Sequence, residues 1–203
     1  MRKPTGHPLL ARLIDWTMAP LDAVRGKLVP HARGEVLEIG FGTGLNLPHY
    51  NFDQVRSLTA IEPDPHMRVR AEARVERLAL PVTLVEGFAE SLPFETATFD
   101  EVVMTFTLCT VKDPKAALAE IRRVLRPQGV LRFAEHTVSD HGATRAFQHA
   151  IDPVWAHFAG GCHVVRDAAH LIGEAGFSID TLYGHGRRPF NPTPVHRGQA
   201  LRT

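Results

Sequence analysis

The chain has 203 residues, 44% hydrophobic and 22% charged, the make-up of one globular domain with a sizeable core. Its 23 basic and 22 acidic residues leave a net charge of +1, which gives no case for nucleic acid or an acidic partner. Two cysteines, Cys109 and Cys162, are too few for a disulfide framework and point to a reducing, cytoplasmic setting, and the start "MRKPTGHPLLARLIDW" has no apolar run long enough for a signal peptide or an integral membrane segment.

Residues 8–18 predict a helix that puts Leu9, Leu10, Leu13, Ile14 and Met18 near one face, with a second short helix running to about Pro30. That apolar face is read as a lid over a pocket, in preference to a peripheral membrane contact. From residue 35 the pattern changes to alternation. Strands are expected at 35–40, 56–61, 82–86, 99–106 and 129–135, with helices at 63–79 and 113–126. The second of these opens on Asp113-Pro114 and stops at "PQG". After residue 140 the rhythm breaks. An irregular helix at 143–159, interrupted at Pro153, precedes a helix at 166–175, the strand "FSIDTLYG" and a last strand in "PTPVHRGQALRT".

Strands alternating with helices of this length predict an α/β, doubly wound, Rossmann-like sheet of seven strands. The sheet is mostly parallel with an antiparallel edge strand, and an N-terminal helical lid lies over it. The organisation is a single domain over 1–203: lid 1–31, cofactor-binding core 32–137, and an acceptor-side insertion with the last strands over 138–203.

"EVLEIGFGTGLNLPHY", residues 35–50, carries the chemistry. Gly40, Gly42 and Gly44 follow a strand, a loop that lets backbone approach a ligand. The spacing is G-x-G-x-G, and Leu45 stands where the dinucleotide fingerprint has its third glycine. No lysine follows to make a phosphate-binding P-loop, and His49 is the one basic residue in the stretch. A ligand with a carboxylate, a ribose and an adenine is better matched than a pyrophosphate. Glu62 supports it: it closes the second strand about twenty residues on, where an acid accepts ribose hydroxyls. The turn "GFAESLPF" falls at the same sheet edge.

With "VLEIGFGTG" and the block from "FDEVVMTFTLCT" to "LRFAEH", the sequence resembles the class I S-adenosylmethionine-dependent methyltransferases. The resemblance implies S-adenosyl-L-methionine as cofactor. It implies Glu38, Gly40, Gly42 and Gly44 around the methionine part, Glu62 on the ribose, Pro63, Ala89 and Glu90 near the adenine, and Thr105 and Phe106 near the sulfonium. Phe88 stands where many relatives carry an Asp for the adenine amine. "TLCTVKDP", "DPVWAHFAGGC" and "PVHRGQAL" narrow the likeness to small-thiol S-methyltransferases of the methyltransferase-like seven family. The expected reaction is methyl transfer to a small molecule, a thiol or another soft apolar nucleophile. The alternatives are a phospholipid amine, a quinone carbon, or a binding module without catalysis.

Acceptor-side candidates follow the fifth strand. His136 is expected as a base, because imidazole changes charge near neutral pH. Asp152 is expected to orient a substrate or a histidine, and Trp155 and His163 to face the acceptor. His157, Cys162 and His163 match no common zinc spacing, so no metal is expected, and Cys109 is read as a packed thiol.

Overall fold

The structure is a computed structural model and describes residues 8–78, 81–184 and 190–203. Seven strands form one sheet: β1 (Gly34–Ile39), β2 (Val55–Ile61), β3 (Val82–Val85), β4 (Phe99–Thr105), β5 (Leu125–His136), β6 (Phe177–Gly184) and β7 (Val195–Arg202). Their order is β3-β2-β1-β4-β5-β7-β6. The first five run parallel; β7 lies antiparallel to β5, and β6 antiparallel to β7. The expected architecture is therefore present, antiparallel pair at the edge included. In the N-terminal segment, residues 1–7 and the side chain of Leu10, expected on the apolar face, lie outside the described residues.

The core follows from period-two alternation in strands buried on both faces. On one face, Val36, Leu58, Ala60 and Val103 meet Ala71 of α3 (Pro65–Leu78). On the other, Leu37, Val102, Met104, Leu131 and Phe133 meet Leu118 and Ile121 of α4 (Pro114–Val124) and Ile172 of α6 (Ala168–Glu174). The Asp113-Pro114 signal works as expected: the Asp113 carboxylate accepts the amides of Lys115 and Ala116, both at 3.0 Å.

Two boundaries differ from expectation. The strand expected at 129–135 begins at Leu125, with "RPQG" as a bulge in it, Gln128 at φ +63°, rather than a helix stop alone. Leu125 pairs with Phe99, and Arg126 forms an ion pair with Asp100, which holds the segment on the sheet. The helix expected to break at Pro153 runs through it as α5 (Gly142–Phe158). Proline removes one amide donor and leaves the carbonyl four residues back unserved. That residue, His149, is exposed, so its carbonyl is not left to be satisfied within the core.

α5 is fastened to the sheet by one buried amide. The Gln148 carbonyl accepts the Ser139 amide at 2.8 Å, and its NH₂ group reaches the carbonyls of Thr137, Val164 and Pro192, each at 3.1 Å. These are four backbone groups from three separate segments, all tied to one side chain. Gln148→Ala is expected to lower unfolding stability by about 2–4 kcal/mol, because buried polar groups lose their partner. Urea denaturation checks it; a loss under about 0.5 kcal/mol, the scale of a neutral surface change, would show that Gln148 is not a fastening point.

Candidate functional site

Parallel strands deliver β1, β2, β3 and β4 to one edge of the sheet, and the loops beyond them enclose a cavity of about 570 Å³. Gly40 has φ +71°, and a Cβ there would fall 2.1 Å from Thr107 Oγ1, so only glycine lets the loop cross the end of β4. Gly42 has φ +59°, and its amide donates to Glu62 Oε2 at 2.8 Å. The other oxygen of Glu62 accepts the Asp64 amide at 2.9 Å. Glu62 is thus buried and fixed with lone pairs to spare, and burial raises its pKa.

Glu38, Gly40, Gly42, Glu62, Pro63, Ala89, Glu90, Thr105 and Phe106 all line this cavity. Gly44, expected among them, does not. It lies beneath the loop at φ +82°, where a Cβ would crowd Phe41 and Leu47 at 3.1 Å. Phe88 also lines the cavity. The Glu90 carboxylate accepts the amide of Lys112 at 3.0 Å, tying the turn after β3 to the start of α4.

Three contributors went unread in the sequence: Asn46, Tyr50 and Arg25. Asn46 donates to Glu38 Oε1 at 2.9 Å and to Thr105 Oγ1 at 3.0 Å, and Tyr50 donates to Glu38 Oε2 at 2.7 Å. Burial nevertheless pushes Glu38 up to about 8, against those two hydrogen bonds and the positive charge of Arg25. Arg25 comes from the short helix α2 (Asp22–Arg25). It is 4% exposed, donates to the Met18 carbonyl at 3.2 Å and sits 5.1 Å over the Phe106 ring. Both Arg25 Nε and Asn46 Oδ1 are buried without a hydrogen-bond partner, in residues that line the cavity. Such groups cost stability unless something completes them. One asks for an acceptor, the other for a donor. Phe106 holds φ +55°, strained backbone at the end of β4 that aims its ring at this place.

The N-terminal helix α1 (Pro8–Met18) closes one side. Ile14 and Met18 line the cavity, while Leu9 and Leu13 of the same expected face are exposed, together with Trp16. Asp15 holds the helix in place: it accepts the Thr43 hydroxyl of the glycine loop and pairs with Arg70 at 3.0 Å and Arg74 at 2.9 Å on α3.

On the far side, the end of α5 contributes His157 and Phe158 to the lining, and Gly161 follows. His136, Asp152, Trp155 and His163 stand behind this lining rather than in it. His163 Nδ1 meets Asp152 Oδ2 at 2.8 Å, so Asp152 orients a histidine. His136 packs against the Phe106 ring with centroids 5.0 Å apart, and its Nδ1 lies 3.5 Å from Cys162 Sγ and 3.9 Å from Cys109 Sγ. Cys109 is buried and packed as expected, against Cys162 and Val164. Hydrogen bonding to Cys109 lowers the pKa of Cys162, and the same pairing raises that of Cys109. Glu135 beside them is fully buried and accepts the amides of Thr107 at 2.9 Å and Cys109 at 3.1 Å; burial pushes it up to about 7.

Residues 37–133 match the family described as methyltransferase domain. The chain is similar to thiol S-methyltransferase TMT1B of Homo sapiens, at 31% identity over 76% of this chain and 64% of that one. It is also similar to phosphatidylethanolamine N-methyltransferase of Cereibacter sphaeroides, at 37% identity over 58% of each chain. It therefore spans less than two thirds of the length of either relative. Among solved structures, an S-adenosylmethionine-dependent methyltransferase from Aquifex aeolicus shares the fold, with a TM-score of 0.70 at 18% identity over 98% of this chain and all of that one.

The pH dependence of stability follows from Glu38. Its folded pKa of about 8 lies above the ordinary value of 4.5, so the native state holds the proton more tightly than the unfolded chain does. The stability this contributes is complete below about pH 4.5 and is lost as pH rises through about 8. Glu38→Gln removes that loss. The melting temperature of the variant relative to the native protein, without ligand, should therefore rise by at least about 4 °C between pH 5 and pH 8.5, the shift that 1–2 kcal/mol produces in a domain of this size. Parallel melting curves across that range would show that Glu38 is not held protonated.

Proposed function

We propose that this chain, which carries a methyltransferase domain of the S-adenosylmethionine-dependent class, transfers a methyl group to a small thiol. The observation that supports the cofactor's orientation is the pair of unpartnered buried groups, Arg25 Nε and Asn46 Oδ1, beside Glu38 in the cavity. A zwitterionic amino-acid end answers both. Its carboxylate completes Arg25 in a charge-assisted bond, and its ammonium donates to Asn46 and favours the charged form of Glu38. Glu62 accepts from the ribose with the lone pairs that Gly42 and Asp64 leave open. Phe88, Ala89 and Pro63 flank the adenine.

Bound there, the cofactor supplies an electrophilic methyl on a sulfonium, an activated leaving group. The residues then need only align donor and acceptor and keep water out. Ile14 and Met18 on one side and Phe158 on the other give the cavity an apolar mouth. A thiol enters such a mouth more cheaply than a charged amine, because it carries little solvation to lose. It must also give up a proton to become a nucleophile. His157 lies in the lining; His136 and the Asp152–His163 pair stand in the next layer. We place the proton acceptor among these imidazoles. The similarity to a thiol S-methyltransferase supports the thiol, and the similarity to a phosphatidylethanolamine N-methyltransferase makes a phospholipid amine the second reading.

Binding tests the cofactor half. Arg25→Gln should weaken S-adenosylhomocysteine by about 1–3 kcal/mol, the range for a hydrogen bond to a charged group. It should leave methylthioadenosine, which has no amino-acid end, nearly unchanged. Glu62→Ala should weaken both by a similar amount. Calorimetric titration reads all four affinities; an Arg25→Gln variant that loses both ligands equally would move the carboxylate elsewhere.

The acceptor is tested directly. Purified protein with methyl-labelled cofactor should label alkyl and aryl thiols in preference to phosphatidylethanolamine vesicles and quinols. Label confined to the lipid amine or the quinol would overturn the thiol reading. Tight cofactor binding with no transfer to any of them would make the domain a binding module.

A further inference from the structure

Behind the wall of the cavity, the chain's two cysteines meet one histidine. Cys109 Sγ and Cys162 Sγ are 3.4 Å apart; His136 Nδ1 lies 3.5 Å from the second and 3.9 Å from the first. A tetrahedral zinc ion, with sulfur at about 2.3 Å and nitrogen at about 2.0–2.1 Å, requires donors separated by about 3.8 Å for sulfur–sulfur and about 3.6 Å for sulfur–nitrogen. All three separations fall within about 0.4 Å of these values, a spread that small side-chain rotations absorb.

The backbones of the donors are fixed independently of any ion. Glu135 holds the Cys109 amide at 3.1 Å. The His163 amide donates to the Cys109 carbonyl at 2.8 Å, and the Cys162 amide to the Ala159 carbonyl at 3.1 Å. His163 follows Cys162 directly, so the bond to Cys109 stitches the two cysteine loops together. His136 is carried at the end of β5, where it is paired with Val195 of β7. Three donors thus converge from three segments on rigid supports, which is what a binding site needs and ordinary packing does not.

We propose that Cys109, Cys162 and His136 form a binding site for one thiophilic divalent cation, zinc by the softness of two thiolates and one imidazole. Binding releases the two thiol protons to solvent, and no electron is transferred. Three protein ligands leave the fourth tetrahedral corner to an exchangeable ligand, the arrangement of catalytic rather than structural zinc. The corner lies close to the cavity, since Thr107 and Thr110 flank Cys109, Gly161 precedes Cys162, and all three line that cavity. In this assignment His136 is a ligand and not a base. The site stands whichever acceptor the domain uses.

Cobalt is the probe. Metal-free protein kept reduced with a phosphine under nitrogen is titrated with Co²⁺. The expected result is one equivalent bound per chain, with a thiolate-to-cobalt absorption in the near ultraviolet and strong visible bands of a tetrahedral ion, both erased by Zn²⁺. Cys162→Ser and His136→Ala should each lower Co²⁺ affinity at least about 100-fold. Circular dichroism confirms that each variant folds, and native mass spectrometry of the unmutated protein, as purified and after zinc addition, provides a readout free of any mutation. No thiolate band, bands that persist in folded Cys162→Ser, or no zinc adduct would overturn the site. Conversion of the two thiols to a disulfide without metal uptake would overturn it as well.

Discussion

Buried carboxylates at the ends of parallel strands are the constraint on which the rest of the site depends. Glu38 near the end of β1, Glu62 just past β2 and Glu135 in β5 are 1%, 7% and 0% exposed. An acid at such depth is costly unless its oxygens are satisfied. Each is satisfied by a neighbouring loop: Glu38 by Asn46 and Tyr50, Glu62 by Gly42 and Asp64, Glu135 by Thr107 and Cys109. The loops are therefore tied to the sheet by the requirement to neutralise buried acids, before any ligand arrives. That is why the cavity has a defined shape and why Glu62 and Glu38 can face a ligand in fixed orientations.

The N-terminal segment enters the same network. Asp15 reaches across to Thr43 of the glycine loop and to two arginines of α3, and Arg25 lies against Phe106 with one nitrogen still unpartnered. Arg25 is at once part of the lid and part of the cavity lining. A ligand anion that completes it stabilises the closed arrangement of the segment by mass action. In the function proposed above, cofactor binding then favours the arrangement in which Ile14 and Met18 of α1 line the cavity.

The sheet was legible because its signals are local. Apolar runs such as "VLEI" and "EVVM", an Asp-Pro start and a Gly-rich turn each act within a few residues. Boundaries went astray where a distant partner decided them: Asp100 draws Arg126 and the start of β5 onto the sheet, and the exposed carbonyl of His149 lets α5 pass through Pro153. The loop and Glu62 were also legible, through spacing and resemblance, and of the residues expected around the cofactor all but Gly44 line the cavity. Arg25 was not, since nothing in "DAVRGKL" distinguishes a buried guanidinium from a solvated one. Nor was the cluster of Cys109, His136 and Cys162, whose members lie 27 and 26 positions apart and meet only through the crossover between β4 and β5 and the turn after α5. His157, Cys162 and His163 are close in sequence, yet the structure turns them to different partners: Phe158, Cys109 with His136, and Asp152.

The two halves of the cavity are built from different material, and this explains what similarity does and does not carry. The cofactor half consists of strand ends and the loops their acids fix, so changing it disturbs the sheet. The opposite wall consists of one face of α1 and the last turn of α5; Asp15 ties the first to the glycine loop and α3, and Gln148 ties the second to the chain just beyond β5. Its side chains can change in size and polarity without touching the core. Relatives named for a thiol and for a phospholipid amine then fit one architecture at 31% and 37% identity. In the function proposed above, the choice of acceptor falls to Ile14, Met18, His157 and Phe158, which line the cavity, and not to the fold.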